Sequence, residues 1–175
     1  MKRIVLFLIA LCILTAFAGC GENKVGSISS ASENLQSGAG VADKFELSQK
    51  MLKADDSLKV MMTVSSDTDE SGKKFAKLCD FPYDKVNAYF YSYDESGKAC
   101  EIAVVELKNE SDADDLKNSL QKHCGVLEKT ASENGKADDA GAAQNAEIIV
   151  KGRYVGLIMC GKPKNVKAAF DENIK

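Results

Sequence analysis

The chain has 175 residues, of which 23 are basic and 26 are acidic, and 45% are hydrophobic. The formal net charge of −3 argues against nucleic acid as a partner, because binding to a phosphate backbone needs a clustered excess of lysine and arginine. The length fits one compact domain with additional segments and is short for two full domains.

The first residues have the organisation of an export signal. Lys2 and Arg3 precede an uncharged, mostly apolar stretch at residues 4–18. As a helix this stretch would be shorter than the ~30 Å hydrocarbon core of a bilayer. It therefore predicts a cleaved signal peptide rather than a membrane-spanning anchor.

The sequence FAGC at residues 17–20 resembles a bacterial lipobox. In a lipobox, small residues precede a cysteine, the chain is cut on the amino side of that cysteine, and the sulfur receives lipid. We therefore predict a signal peptide at residues 1–19 and a mature chain attached to the cell membrane through lipid on Cys20, on the extracytoplasmic face. The alternative is an ordinary signal peptide or a single-span anchor in which Cys20 is incidental.

Residues 20–42 are predicted to be a flexible linker. They are mostly Gly, Ser, Ala, Asn and Glu, and this composition cannot bury enough apolar surface to fold. Removal of residues 1–19 leaves 21 of the basic residues against 26 acidic ones, a formal charge of −5. That balance also argues against adhesion to anionic lipid through a basic face. The folded domain is expected at residues 43–175.

The first part of the domain predicts helices. Residues 43–54 carry apolar side chains on a broad helical face. Residues 58–64 fit either a strand or a continuation of that helix. Residues 73–81 fit a short helix that ends before Pro82, because proline disfavours helical angles in the residue before it.

The middle of the chain predicts a β-hairpin. Two β-rich runs, residues 86–93 and residues 98–108, flank the turn sequence DESG. Both faces of the second run are apolar, so we expect this strand to be central in its sheet. Tyr89, Tyr91 and Tyr93 share one face of the first run. They would form either an aromatic surface that binds a sugar or protein, or a layer packed under a helix.

The last part of the domain predicts a helix, a second hairpin and a final helix. Residues 111–129 have apolar residues at spacings of three and four, which is typical of an amphipathic helix. The low-complexity stretch at residues 131–145 predicts a surface loop, part of which could extend that helix because alanine favours helix. Residues 147–160 predict two strands, and Pro163 opens a closing helix. The order predicts an α+β fold: a single small domain with an antiparallel sheet of about four to five strands and amphipathic helices packed on it.

The residues that could carry chemistry form no familiar catalytic or metal motif. His123 is the single histidine and precedes Cys124, but adjacent residues on a helix point ~100° apart, so they cannot readily act as a thiol–imidazole pair. The domain cysteines Cys79, Cys100, Cys124 and Cys160 lack the spacing of a zinc site. No glycine-rich phosphate loop and no Gly-x-Ser-x-Gly motif occurs in the sequence. We therefore predict no catalytic residue, no metal and no cofactor.

The same four cysteines leave the oxidation state of the domain open. Export would permit disulfides, and four thiols can pair in more than one way. A buried free cysteine also serves as a small apolar residue, and a domain of this size does not need a covalent staple. If a disulfide forms, Cys100, Cys124 and Cys160 are the expected participants, because the helix and the strands that carry them would pack together.

Two segments resemble a known family: FAKLCDFPYDKVNAYFYSYDESGKACEIAVVELKNESDADDLKNSL, and later IIVKGRYVGLIMC with a closing helix. The distinctive steps lie at residues 82–84, 101–104 and 151–155. These features resemble the DUF4358 family, uncharacterised lipoproteins of Firmicutes, over roughly residues 43–175. The resemblance implies a lipobox, a serine-rich tether and an α+β domain, and it implies no catalytic residues.

Two classes of function remain. The one we favour is a non-catalytic, lipid-anchored module at the cell surface, which binds an envelope protein or glycan or takes part in envelope assembly. The alternative is an extracytoplasmic enzyme, a hydrolase or thiol-redox protein, whose site is too scattered to recognise. A substrate-binding protein of a transporter is a weaker option, because such proteins usually need two larger lobes.

Overall fold

The computed structural model describes residues 44–175. The predicted signal peptide, the linker and the predicted lipid attachment at Cys20 lie outside these residues. The described residues form one open sheet of five antiparallel strands with helices packed on both of its faces. The predicted fold, a single small α+β domain, is confirmed.

The elements follow the predicted order, with one additional helix. Their bounds in chain order are α1 Lys44–Lys53, β1 Met62–Ser65, α2 Ser71–Leu78, β2 Val86–Tyr93, β3 Glu101–Leu107, α3 Ala113–Glu133, α4 Ala137–Gln144, β4 Glu147–Lys151, β5 Tyr154–Met159 and α5 Pro163–Asn173. The segment at residues 58–64, which fitted either strand or helix, contains β1 and follows a 3-10 turn at Asp56–Leu58.

The prediction of a surface loop at residues 131–145 differs from the structure. In place of the loop, α3 continues to Glu133, a turn with a positive φ of 69° at Gly135 follows, and α4 begins at Ala137. The alanines explain the difference, because they favour helix and are small enough to pack closely. Ala131 and Ala143 are both buried, so the segment gains tertiary contacts that its low complexity does not suggest.

The strand order in the sheet is β1-β2-β3-β5-β4, and every neighbouring pair is antiparallel. β3 is the central strand, as its two apolar faces predicted. The register places Glu101, the first residue of β3, opposite Tyr93 of β2 on one side and opposite Met159 of β5 on the other. The end of the sheet at which β2 and β5 stop and β3 starts is therefore a single meeting point of three strands.

Each face of the sheet has its own core. On one face, which we call the α3 face, the side chains of Tyr89, Tyr91 and Val105 pack with residues of α2, α3 and α4. On the other, which we call the α5 face, Phe90 and Ile102 pack with residues of α1 and α5. Because β-strand side chains alternate between faces, the same strands contribute side chains to both cores. The domain therefore has three layers, with the sheet between two layers of helices.

Candidate functional site

A cavity of about 600 Å³ opens at the sheet end where β2, β3 and β5 meet. We call it the hairpin-end cavity. The β2–β3 turn, α4 and the β5–α5 connection contribute its walls, and the polar and thiol side chains that line it include Ser57, Asp94, Lys98, Cys100, Asp139 and Cys160. The backbone amide of Ala99 donates a hydrogen bond of 3.3 Å to Oδ1 of Asp139, which ties the turn to α4.

Asp55 is a buried carboxylate beside this cavity. Its side chain accepts hydrogen bonds from the backbone amide of Ser57, at 2.9 Å, and from the backbone amide of Lys162. It therefore caps the 3-10 turn before β1 and joins it to the β5–α5 connection. Burial raises the pKa of Asp55, but the hydrogen bonds from Ser57, Lys162 and the Cys160 thiol outweigh burial, so the pKa lies below its usual value of 3.8.

Cys100 and Cys160 both line the cavity, and both are half-buried free thiols. The pKa of Cys160 is raised to about 12, first by burial and then by the adjacent Asp55 carboxylate and the Cys100 thiol. Burial likewise raises the pKa of Cys100, with the charge of Asp55 adding to the effect. Catalytic thiols have lowered pKa values that keep them ionised near neutral pH, so neither cysteine has the electrostatics of an activated nucleophile.

A second polar group lies on the α3 face, at the start of β3. Nε2 of His123 and Oε2 of Glu101 are 2.6 Å apart, and their side chains are only 14% and 9% exposed. The Tyr91 hydroxyl also hydrogen-bonds to Glu101, and burial together with the charge of Glu101 raises the pKa of this tyrosine. The carboxyl group of Glu101 thus connects a strand tyrosine to a helix histidine. None of the three residues lines the hairpin-end cavity.

Sequence reasoning missed the role of Glu101. It compared His123 with its neighbour Cys124, whereas the partner of the imidazole is 22 positions away along the chain. The sequence does contain a sign of this contact. Glu101 is the charged residue at the start of an apolar strand, and it lies on the same strand face as Ala103 and Val105. Those residues face α3, so Glu101 does too.

The tyrosines that could have formed an aromatic binding surface are largely in the core. Tyr89 and Tyr91 are 1% and 4% exposed, and the Tyr89 hydroxyl donates a 2.7 Å hydrogen bond to the carbonyl oxygen of Ser71 on α2. Tyr93 is half-buried, with its ring centroid 5.0 Å from that of Tyr91. This arrangement matches the alternative in which the tyrosines pack under helices, and it leaves little ring surface for a ligand.

The other two cysteines lie on the α3 face. Cys79 and Cys124 are buried free thiols, and burial raises both of their pKa values, that of Cys124 to about 11. Cys124 packs into the core, whereas its neighbour His123 turns to Glu101. The two neighbouring side chains therefore have different partners.

An apolar patch lies at the edge of the sheet, before and within β1. Val60 is 86% exposed and Met62 is 42% exposed, although the surrounding domain buries most of its large apolar side chains. A groove of about 600 Å³ runs between this segment and the β2–β3 turn, and its walls include Lys59, Val60, Met61, Met62, Glu95 and Lys98. We call it the β1-edge groove. It combines apolar side chains with charges of both signs.

Within residues 44–175, no group of three or more His, Cys, Asp or Glu residues is placed to hold a metal ion. None of the helices in this part of the chain combines the length and the apolar character that crossing a bilayer requires.

Comparison with known proteins gave one match. Neither the curated proteins nor the solved structures include a significant match to this chain. The family described as a domain of unknown function, DUF4358, matches residues 59–160, which contain all five strands. The chain therefore belongs to the DUF4358 family.

Proposed function

We propose that this chain is a non-catalytic binding or assembly module, held on the extracytoplasmic face of the cell membrane by lipid on Cys20. Its partner in the proposal is an extended segment of an envelope protein. The observation that carries the proposal is the exposure of Val60 and Met62 beside an edge strand.

Exposed apolar side chains next to an edge strand favour a partner in extended conformation. β1 is the first strand in the sheet order, and within the described residues it pairs only with β2. The outer edge of such a strand can pair with the backbone of another chain, while neighbouring pockets receive alternate side chains of that chain. The β1-edge groove supplies such a pocket, with Met62 at its wall.

The thiols and tyrosines weigh against the other classes of function. The raised pKa values of Cys100 and Cys160 do not favour thiol catalysis. The burial of Tyr89 and Tyr91 removes the aromatic surface that would have favoured a sugar ligand.

Site-specific photo-crosslinking in intact cells tests the binding surface. A photoreactive residue at Val60 is expected to capture one envelope protein at a defined segment. The matched control is Val126, which is 64% exposed and lies on α3, a helix that packs against α4, β4 and β5. A synthetic peptide of the captured segment should bind the purified chain, and Met62→Lys should weaken that binding at least tenfold. Equal capture at both positions, or a peptide that binds Met62→Lys unchanged, would contradict the proposed surface.

The anchor is tested separately. The mature protein is expected to begin at an acylated Cys20 and to enter the detergent phase in a phase partition. Cys20→Ser should move the protein to the aqueous phase or leave its signal peptide uncut. A native product that begins at another residue would contradict the proposed lipid anchor. It would not contradict the proposed binding surface, which is tested independently.

A further inference from the structure

Cys100 and Cys160 lie at facing positions one residue beyond the paired ends of β3 and β5. The ladder between β3 and β5 pairs Glu101 with Met159, so the next step along both strands places Cys100 opposite Cys160. Both thiols belong to the α5 face, where each cysteine packs against the same core as Ile102. Two residues in this relation are direct cross-strand neighbours.

The hydrogen-bond pattern shows which type of facing pair they form. The amide of Leu107 donates to the carbonyl oxygen of the facing Arg153 at 2.8 Å. Hydrogen-bonded and non-hydrogen-bonded pairs alternate along an antiparallel ladder, and this ladder has no register shift. Cys100 is an odd number of residues from Leu107, so it faces Cys160 in a non-hydrogen-bonded pair. In such pairs the Cα atoms are about 4.5 Å apart, within the range of about 4.4–6.8 Å that a disulfide requires.

External reagents can reach this pair more easily than the other cysteines. Cys100 and Cys160 are half-buried and open to the hairpin-end cavity. Cys79 and Cys124 are buried, at 6% and 8% exposure, on the opposite face of the sheet. A soluble disulfide would therefore meet the facing pair first.

We propose that Cys100 and Cys160 form a cross-strand disulfide by exchange with an external disulfide. The presence of an oxidant outside the cytoplasm rests on the proposed function, because disulfides persist mainly in exported proteins. The facing geometry does not depend on the location of the protein, so it can be tested by itself.

The exchange proceeds in two steps. The Cys100 thiol loses its proton and attacks one sulfur of the external disulfide, which forms a mixed disulfide and releases one thiolate. The Cys160 thiol then loses its proton and attacks the Cys100 sulfur, which closes the cross-strand bond and releases the second thiolate. The protein loses two hydrogen atoms and two electrons, and the external disulfide is reduced to two thiols. The Asp55 carboxylate raises the pKa of both thiols, so it disfavours both of the attacking thiolates.

The test uses the full chain, purified in detergent under reducing conditions, transferred to buffer without reductant and incubated with oxidised glutathione. Trypsin places the four domain cysteines in separate peptides, at residues 78–85, 99–108, 123–129 and 154–164. We expect the intact mass to fall by two hydrogen atoms, and the non-reducing digest to contain peptide 99–108 joined to peptide 154–164. The melting temperature should rise by on the order of 10 °C, since the bond closes a long loop.

Three variants sharpen the result. Cys100→Ser and Cys160→Ser should each stop at a mixed disulfide with glutathione on the remaining cysteine, whereas Cys124→Ala should still close the bond. Asp55→Asn should speed closure several-fold, because it removes the charge beside Cys160. The proposal is overturned if the folded wild-type chain retains glutathione at either position without closing, or if either cysteine joins Cys79 or Cys124. This outcome is read on the wild-type chain, so it stands even if a variant fails to fold.

Trapping of thiols in intact cells distinguishes a failure of the proposed disulfide from a failure of the proposed export. A bond that is closed in cells supports both the site and export. A bond that closes with glutathione in vitro but is open in cells supports the site and counts against the export in the proposed function.

Discussion

Replacing His123 with alanine tests whether the Glu101–His123 pair contributes to the stability of the α3 face. The two side chains are 14% and 9% exposed and their polar atoms are 2.6 Å apart. Loss of one partner from a buried pair costs about 3–5 kcal/mol, because the other group stays buried without compensation. Tyr91 still contacts Glu101, so we expect the lower end, a loss of about 3 kcal/mol in the free energy of unfolding.

A surface pair of nearly the same length provides the control. Lys167 and Asp171 on α5 are 2.7 Å apart, but their side chains are 40% and 42% exposed. Exposed pairs at this helical spacing contribute about 0.3–0.5 kcal/mol, so Lys167→Ala should have a small effect. The difference between the two losses in stability measures the effect of burial, because the distances between the paired atoms are nearly equal in the two pairs.

Urea unfolding followed by far-ultraviolet circular dichroism measures both losses. His123→Gln, which keeps a side-chain donor, should recover part of the stability lost in His123→Ala. A double-mutant cycle with Glu101→Gln then isolates the coupling between the two residues. If His123→Ala costs no more than Lys167→Ala, or if the coupling is near zero, the reasoning from burial is refuted.

Other substitutions test the packing and the pH dependence. Gly156→Ala on β5 should destabilise the domain by about 1–3 kcal/mol, because its Cβ would lie 3.1 Å from Cε2 of Phe170. Gly125→Ala on α3, where a Cβ meets no atom within 4 Å, should instead stabilise it by up to about 1 kcal/mol, and thermal unfolding distinguishes these signs. Because the pKa of Asp55 lies below 3.8 in the folded state, its contribution to stability is present above that value and is lost as the pH falls through the folded pKa. Between about pH 6 and pH 2 the urea midpoint of Asp55→Asn should therefore fall less than that of the wild type, and an equal fall would contradict this. Tyr91→Ala should cost about 3–5 kcal/mol in stability and leave binding at the β1-edge groove unchanged in a titration with the captured peptide.

Local patterns were enough to predict much of the fold. The bounds of β2 match the predicted residues 86–93, and the late hairpin and α5 also lie where turn residues and Pro163 indicated. In these elements the residues that decide the structure are close in sequence. The alanine-rich α4 is different, because its helix gains stability from packing that composition does not reveal.

The sites depend on contacts between distant parts of the chain. No local pattern places β5 beside β3, yet this pairing sets Cys100 opposite Cys160. The contact between Glu101 and His123 likewise requires α3 to lie over the start of β3. The expectation that Cys100, Cys124 and Cys160 are the disulfide participants did not distinguish the two faces of the sheet, because Cys124 lies on the α3 face and the other two lie on the α5 face.

The sheet order also determines when this protein can fold during its synthesis. β5 emerges from the ribosome about 50 residues after β3, and α5 emerges later still. Until then, one edge of the central strand has no neighbour and Phe90 and Ile102 have no cover from α5. A nascent chain that stops before residue 154 would expose both, and would be prone to associate with other chains. Synthesis of the domain must therefore be nearly complete before the central strand and the α5 face can be covered.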